Sequence, residues 1–286
     1  YGNFPKVQRG KKMKKFCVLE QGKTINDEFT LQHKSQFNTD VSDFYRLNWK
    51  RLDDPNAQVC MPDACWTEGR SVLYDHIMDE YEYYIFIDDD VLFYGDDIAQ
   101  KIADTLDEYK PIAGTFGIPS GWHFGGVKTN KEVHPIACYD LCVHMFSRDF
   151  AEVMYPTIFH SSGKSMWYAM YACYKLFPRK QLAFRNIVTN NSRTGPAEDK
   201  IRSEQGDPVY KDFVAVESVI SKFEKDLYFK GDYILWNDSN KDHVRKLNSE
   251  LANLEPDRTK IRFSINDLAQ IYDINNEDFK NRKATL

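Results

Sequence analysis

The sequence has no apolar run of the roughly 18 residues that a membrane-spanning helix requires, and it has no signal-peptide pattern. We therefore predict a chain with no membrane span that is soluble as given. Because the first residue is Tyr1 rather than Met, loss of an upstream anchor or leader stays open. We expect a cytoplasmic location, with a lumenal one as the alternative if such an anchor was removed.

The chain also has fewer positively charged residues than negatively charged ones. Only 38 Lys and Arg residues face 43 Asp and Glu residues, which gives a net charge of -5 and a pI near 5.9. This balance leaves no basic footprint for nucleic acid, so we predict no nucleic-acid partner. One basic cluster precedes the first apolar run, and we interpret residues 1–14 as a solvated basic leader. The cluster consists of Lys6, Arg9, Lys11, Lys12, Lys14 and Lys15.

The cysteines lack the spacing of a metal or redox motif. The chain has six, at scattered positions, with no CxxC pair and no zinc-like arrangement. Their number permits disulfides, but their low density favours buried thiols.

Short apolar segments alternate with helical patterns, which predicts α/β layers around a largely parallel sheet. Residues 15–20 and 181–191 have strand patterns, whereas residues 42–52 and 67–81 have helical ones. After Gly206 the patterns are helical throughout. We predict a catalytic core over residues 15–205 and a helical C-terminal extension over residues 206–286 that packs on it.

Three adjacent carboxylates interrupt the most apolar part of the chain, YYIFIDDDVLF at residues 83–93. Unit charges about 4 Å apart repel by roughly 4 kcal/mol at an effective dielectric constant of about 20, so a bound cation is the interpretation we favour over a solvated turn. Mn²⁺ and Mg²⁺ take oxygen ligands and keep only one or two protein carboxylates, with water and phosphates completing the shell. In an extended chain Asp88 and Asp90 face the same way, so these two converge on the metal.

A positively charged side chain lies at the start of a predicted helix, where the helix dipole disfavours it. Arg70 lies in the first turn of the helix predicted for residues 67–81, where the helix dipole is positive. An anion near this helix start would account for it, since free backbone N–H groups and a guanidinium both bind phosphate. An ion pair with Glu68 or a neighbouring loop is the alternative. Helix start and strand end are both expected at the carboxyl edge of the sheet, where α/β proteins bind ligands.

The segment TEGRSVLYDHIMDEYEYYIFIDDDV resembles the pattern of GT-A glycosyltransferases, in which an Arg-led helix and an apolar strand precede a DxD motif. The chain is also similar in size and aromatic content to compact glycosyltransferases of large algal viruses, among them a xylosyltransferase. The resemblance implies a GT-A, Rossmann-like central mixed sheet flanked by helices. It also implies a metal-dependent transfer of a sugar from a nucleotide-sugar donor to a hydroxyl of a glycan acceptor.

The same resemblance assigns roles to residues of the motif. Asp88 and Asp90 would hold Mn²⁺ or Mg²⁺ on the donor diphosphate, Asp89 would contact the ribose or the metal, and Arg70 would contact the phosphates. We expect a UDP-sugar, with UDP-xylose as one candidate, and inversion slightly favoured over retention.

An inverting transfer needs a carboxylate base within reach of the acceptor hydroxyl. Asp140 is our first candidate, because a lone acid in the apolar run HPIACYDLCVHMF is costly unless it is paired or functional. A hydrogen bond to a backbone turn, to His134 or to His144 is the alternative. The second candidates are Glu198 and Asp199. Trp122 and His123, in a glycine-rich loop, are predicted to stack on a sugar ring and to donate to it. Asn190 and Asn191 are predicted to supply a metal or phosphate contact.

Three other functions stay open at this point. In a haloacid-dehalogenase-type phosphohydrolase the first Asp of DxD is a nucleophile near the start of the chain, whereas 87 residues precede Asp88. A sugar nucleotidyltransferase would need a glycine-rich loop after the first strand, where the chain reads EQGKTINDE. A calcium-dependent carbohydrate-binding module would need more oxygen ligands than this region obviously supplies.

Overall fold

A computed structural model of the chain shows an α/β protein built on one mixed sheet. The predicted architecture, a mixed sheet flanked by helices, is confirmed. The structure describes residues 13–25, 27–62, 64, 66–77, 81–117, 127, 129–139, 142–152, 170, 173–174, 177–191 and 241–260.

The described strands form a nine-stranded sheet in the order β3-β2-β1-β4-β8-β6-β9-β5, with β7 also paired to β9. Strands β1 to β4 are parallel where they pair, and β8 runs antiparallel to both β4 and β6. The strands are β1 (Phe16–Gly22), β2 (Ser42–Asn48), β3 (Val59–Cys60), β4 (Tyr83–Asp88), β5 (Val91–Tyr94), β6 (Ala113–Gly117), β7 (Val133–Pro135), β8 (Val143–Ser147) and β9 (Gln181–Asn191). The helices of the described residues are α1 (Glu28–Phe37), α2 (Trp66–Ile77), α3 (Ile98–Tyr109) and α4 (Lys241–Ala252).

Strand β4 is buried on both faces, which explains its unbroken apolar sequence. Because successive side chains point to opposite faces, Tyr84 and Phe86 join the core cluster that includes Leu73 of α2. Ile85 and Ile87 join the cluster on the other face, which includes residues of α1 and α3. The strand is thus central, and it carries its last residue, Asp88, to the carboxyl edge of the sheet.

The predicted helix over residues 42–52 is wrong. Residues 42–48 form β2, which pairs in parallel with β1 from Phe16–Ser42 to Gly22–Asn48. In the first half of the strand buried and partly exposed residues alternate, the period of a strand rather than of a helix. Sheet pairing overrides the local helical propensity here.

Helix α1 lies in a segment whose polar composition gave no helix prediction. Asp27 caps it by accepting a hydrogen bond from Phe29 N at 2.9 Å. Its buried residues are Thr30, His33 and Phe37. Two of these three are polar, so the helical apolar stripe that sequence patterns depend on is missing.

The predicted C-terminal extension is described over residues 241–260 only; its other predicted helices lie outside the described residues. Buried Asn248 of α4 accepts hydrogen bonds from Ala137 N at 2.9 Å and Cys138 N at 3.2 Å, and it donates to Cys138 O at 2.9 Å. These hydrogen bonds therefore join α4 to the residues that follow β7. Across the described segments, no helix has both the length and the apolar character to cross a membrane.

Asp75 on α2 provides a stability test. Burial raises the pKa of Asp75 from 3.8 to about 6, so the folded state favours the protonated carboxyl. That contribution to stability is complete below about pH 4 and is lost as the pH rises through about 6. At about pH 8 we expect Asp75→Asn to unfold at a higher urea concentration than the parent. The pKa shift corresponds to roughly 3 kcal/mol in the free energy of unfolding, and we expect a gain of about 1–2 kcal/mol because the side chain is partly exposed.

At about pH 4 the parent and Asp75→Asn should unfold at the same urea concentration. Asp96→Asn, which changes an exposed acid, is the matched control and should have the same urea midpoint as the parent. Equal stability of Asp75→Asn and its parent at both pH values would contradict the assignment.

Candidate active site

The three aspartates occupy one edge of the sheet, where several chain ends meet. Asp88 closes β4 and is paired with Gln21 of β1, while Val91 opens β5 opposite Asn191 of β9. The carboxyl ends of β1, β2, β4, β6 and β9 and the amino ends of β5 and β8 all lie along this edge. Ligands of open α/β sheets bind at such an edge. The predicted position of the motif therefore agrees with the topology.

Asp88 is held by Arg70. Arg70 Nη2 donates to Asp88 Oδ1 at 2.5 Å, and Nη1 lies 2.7 Å from His144 Nδ1. The Arg70 side chain is 1% exposed and that of Asp88 is 30% exposed. The guanidinium thus faces the protein interior and leaves the carboxylate at its outer end in contact with solvent. A charge-assisted pair of this kind fixes the direction of the Asp88 side chain.

These contacts define what Arg70 does within the chain itself. The predicted anion near the start of α2 is here the carboxylate of Asp88, and a contact between Arg70 and a phosphate stays a prediction. The sequence did not point to His144 as its second partner. Its imidazole stacks on Phe86, with the ring centroids 4.9 Å apart and the planes 11° from parallel. Strands β4 and β8 thus each supply a partner of the guanidinium.

Asp89 connects the motif to the loop after β1. Its Oδ2 accepts a hydrogen bond from Lys23 N at 2.9 Å. A Cβ atom on Gly22 would lie 2.5 Å from Asp89 Oδ2 and 2.6 Å from Arg46 Nη1, which is too close for either contact to persist unchanged. Glycine at the end of β1 therefore permits the approach of Asp89. A contact of Asp89 with ribose or metal stays a prediction.

The oxygen donors of the three aspartates are of the kind that a hard divalent cation prefers. Asp88, Asp89 and Asp90 are each partly exposed. Among the residues that the structure describes, no group of three or more His, Cys, Asp or Glu side chains could hold a metal ion. A metal held by two of these carboxylates, with phosphate and water completing its shell, stays a prediction.

Strand β9 brings two further predicted residues to the motif. Asn191 pairs with Val91 and Asn190 pairs with Leu92, so both lie beside the strand that leaves the Asp turn. Within the described part of the chain, the buried Oδ1 of Asn191 accepts no hydrogen bond. The strand runs over residues 181–191 as predicted, and a donor contact of Asn190 stays a prediction.

The structure adds an aromatic ring that the sequence analysis did not single out. Trp49 follows β2, and its backbone N–H donates to Gly22 O at 3.0 Å. The ammonium of Lys50 lies 4.5 Å from the centroid of the Trp49 ring, and that of Lys23 lies 5.9 Å from it. An indole face with two cations thus adjoins the loop that Asp89 contacts. The sequence analysis missed the position of Trp49 because it predicted a helix over residues 42–52.

Several predicted residues lie outside the described residues: Trp122, His123, Asp140, Glu198 and Asp199. Their roles stay predictions. The chain is described again at Cys142, two residues after Asp140, and Cys142 O accepts a hydrogen bond from Asp88 N at 3.0 Å. The candidate base is thus close in sequence to a residue that contacts the motif.

Comparison with known proteins gives distant likenesses. No protein-family model and no curated protein matches the chain. The mannosyltransferase PcManGT from Pyrobaculum calidifontis, in complex with GDP-Man and Mn²⁺, has a TM-score of 0.46 and 12% identity over 84% of this chain and 70% of that one. A197 from STIV has a TM-score of 0.40 and 11% identity, with coverages of 62% and 86%.

A glycosyltransferase involved in the glycosylation of the major capsid of PBCV-1 has a TM-score of 0.36 and 14% identity, with coverages of 60% and 82%. Glycosyltransferases are thus among the solved structures that the chain resembles. Likenesses this distant assign neither a family nor a function.

Proposed function

We propose that this chain is a metal-dependent glycosyltransferase that moves a sugar from a nucleotide-sugar donor to a hydroxyl of a glycan acceptor. The observation that carries the proposal is the carboxylate turn at the carboxyl edge of the sheet. There Asp88 is oriented by buried Arg70, and Asp89 is joined to the loop after β1. Concentrated negative charge at a ligand-binding edge is neutralised best by a cation. A cation with few protein ligands completes its coordination shell with phosphates and water.

Asp88 and Asp90 are the proposed ligands of Mn²⁺ or Mg²⁺. When bound, the ion would neutralise charge on the diphosphate that leaves the sugar. Arg70 fixes Asp88 from the interior, and its pairing limits the repulsion between neighbouring carboxylates. Asp89 holds the loop at Lys23 against the turn, so that the two chain segments form one surface.

The donor nucleotide is proposed to lie over the ends of β1 and β2. Trp49 offers an aromatic face there, and Lys23 and Lys50 offer positive charge for a phosphorylated ligand. We propose a UDP-sugar, with UDP-xylose as one candidate, so that the enzyme is a hexosyl- or pentosyltransferase. Asn190, beside β5, is proposed as a further donor contact.

The acceptor side is proposed to use the residues between β7 and β8. Asp140 is the proposed base of an inverting transfer, in which it takes the proton of the acceptor hydroxyl as that oxygen bonds to the sugar. Glu198 and Asp199 are the second choice for this role. Trp122 and His123 are proposed to contact the sugar ring by stacking and hydrogen bonding.

Ligand-dependent thermal stability tests the proposal. We expect a nucleoside diphosphate and Mn²⁺ together to raise the unfolding temperature, because binding stabilises the folded state by about 2.7 kcal/mol at a hundredfold excess over Kd. UDP, GDP, CDP and ADP are compared, each with Mn²⁺, with Ca²⁺ and with EDTA. The series that responds identifies the nucleotide of the donor.

Two results would contradict the proposed function. Stabilisation by Ca²⁺ and a glycan without any nucleotide would favour a carbohydrate-binding module. Release of phosphate from a phosphomonoester, with no response to nucleotides, would favour the phosphohydrolase.

A further inference from the structure

A fully buried cluster of charged and polar side chains lies behind the carboxylate turn. Glu20 of β1, His33 of α1 and Arg46 of β2 are each 0% exposed. Arg46 Nη1 donates to Glu20 Oε1 and, at 2.6 Å, to Thr30 Oγ1, while Arg46 Nε donates to Asp54 Oδ2 at 2.9 Å. His33 Nδ1 lies 2.5 Å from Glu20 Oε2. Such groups are expensive to bury, so a packed apolar core would be the simpler solution at this place.

The contacts of His33 fix the position of one hydrogen. Val91 O can only accept, so His33 Nε2, at 2.5 Å from it, carries a hydrogen. Burial lowers the pKa of His33 to about 4. Arg46, which donates to Glu20 Oε1, supplies the positive charge that a buried Glu20 carboxylate needs.

The cluster ends on the two chain segments that form the proposed site. On one side His33 holds the carbonyl of Val91, the residue directly after Asp90. On the other side Arg46 Nη2 donates to Thr24 O at 2.6 Å, in the loop whose Lys23 N–H holds Asp89. These hydrogen bonds of His33 and Arg46 reach the backbone beside the motif rather than the motif carboxylates themselves.

We propose that the Glu20–His33–Arg46 cluster is a positioning device, which sets the Asp88–Asp90 turn against the loop after β1 at the separation that metal and nucleotide binding require. This inference rests on the proposed function. It makes His33 a positioning residue rather than a catalytic one. Removing the partners behind metal ligands lowers metal affinity by about 10- to 100-fold.

Two substitutions at His33 separate its two hydrogen bonds. The amide nitrogen of Gln can take the place of Nε2, so His33→Gln retains a donor to Val91 O. The amide of Asn reaches only as far as Nδ1, so His33→Asn retains the contact with Glu20 and loses the one with Val91. Gln36→Ala is the matched control, because Gln36 donates to Phe93 O at 3.2 Å, on the same helix and the same strand but further from the turn.

The measurement is the Mn²⁺ affinity in the presence of UDP, from the electron paramagnetic resonance signal of free Mn²⁺. We expect His33→Asn to weaken Mn²⁺ binding by about tenfold, and His33→Gln and Gln36→Ala to stay within about twofold of the parent. Urea unfolding of each variant separates this effect from a loss of stability. Equal Mn²⁺ affinity for all four proteins would overturn the proposal, and so would a loss in each variant that follows its urea midpoint.

A failure of the proposed function gives a different result. In that case the parent itself binds no Mn²⁺ with UDP or with the other nucleoside diphosphates. The positioning role is then decided by amide hydrogen exchange of residues 88–92. Faster exchange in His33→Asn than in His33→Gln supports it, and equal exchange overturns it.

Discussion

The Asp90→Asn variant is expected to lose sugar transfer by about a hundredfold or more and to lose the stabilisation by Mn²⁺ and nucleotide together. An amide keeps the size of the side chain but removes the charge that attracts a divalent cation. A hundredfold loss corresponds to about 2.7 kcal/mol of transition-state stabilisation, which is within the range of a single electrostatic contact in an active site.

Without a bound metal, we do not expect Asp90→Asn to destabilise the protein. Asp90 adjoins two other acids, and removing one of three neighbouring charges relieves repulsion. We therefore expect Asp90→Asn to be at least as stable as the parent in urea with EDTA present. Asp96→Asn, six residues further along at an exposed position, should retain full activity and the response to Mn²⁺. Normal transfer by Asp90→Asn at every Mn²⁺ concentration would refute the role of the motif.

Arg46→Met is expected to destabilise the fold more than any of the substitutions at His33, Asp75 or Asp90. Arg46 is 0% exposed, as are the side chains of its partners Glu20 and Asp54. Methionine fills much of the volume but leaves buried carboxyl groups without their cation. Breaking such a pair costs about 3–5 kcal/mol, a large part of the roughly 5–15 kcal/mol that stabilises a typical domain.

Urea unfolding followed by circular dichroism measures the loss. Arg46→Lys keeps the charge but cannot serve Glu20, Asp54 and Thr24 O together, so it should fall between Arg46→Met and the parent. If Arg46→Met does not fold, Arg46→Lys still gives the measurement. Arg51→Met removes an exposed ion pair with Asp53 and should leave the urea midpoint unchanged. A midpoint of Arg46→Met equal to that of Arg51→Met would contradict the assigned role of the cluster.

The strands that local sequence predicted correctly, β4 and β9, each begin with an unbroken run of buried residues. Strand β4 is buried on both faces, and its apolar run ends at the aspartates, as the sequence indicated. Strand β9 covers residues 181–191 as predicted. The location of Arg70 and Asp88 at one edge of the sheet also followed from sequence, because one helix returns the chain from that edge to the next strand. Their direct contact was not predicted.

Polar partners from distant parts of the chain could not be predicted in this way. His144 is 74 residues from Arg70, and Arg46 is 26 residues from Glu20, so no local pattern connects them. Helix α1 has polar Thr30 and His33 on its buried face, because these side chains join a buried cluster rather than an apolar core. Residues 42–52 contain a strand because β1 provides its hydrogen-bonding partner.

By itself the sequence determined the α/β class, the buried central strand and the three carboxylates that end it, since these depend on the order of apolar and charged residues along short stretches. Only the tertiary structure decided that Arg70 turns inward to Asp88, that Trp49 adjoins the loop that Asp89 contacts, and that Glu20, His33 and Arg46 meet behind the motif. The physical reason is that a buried polar side chain is stable only with its partner, and the partner is chosen by the packing of the sheet rather than by its neighbours in the chain.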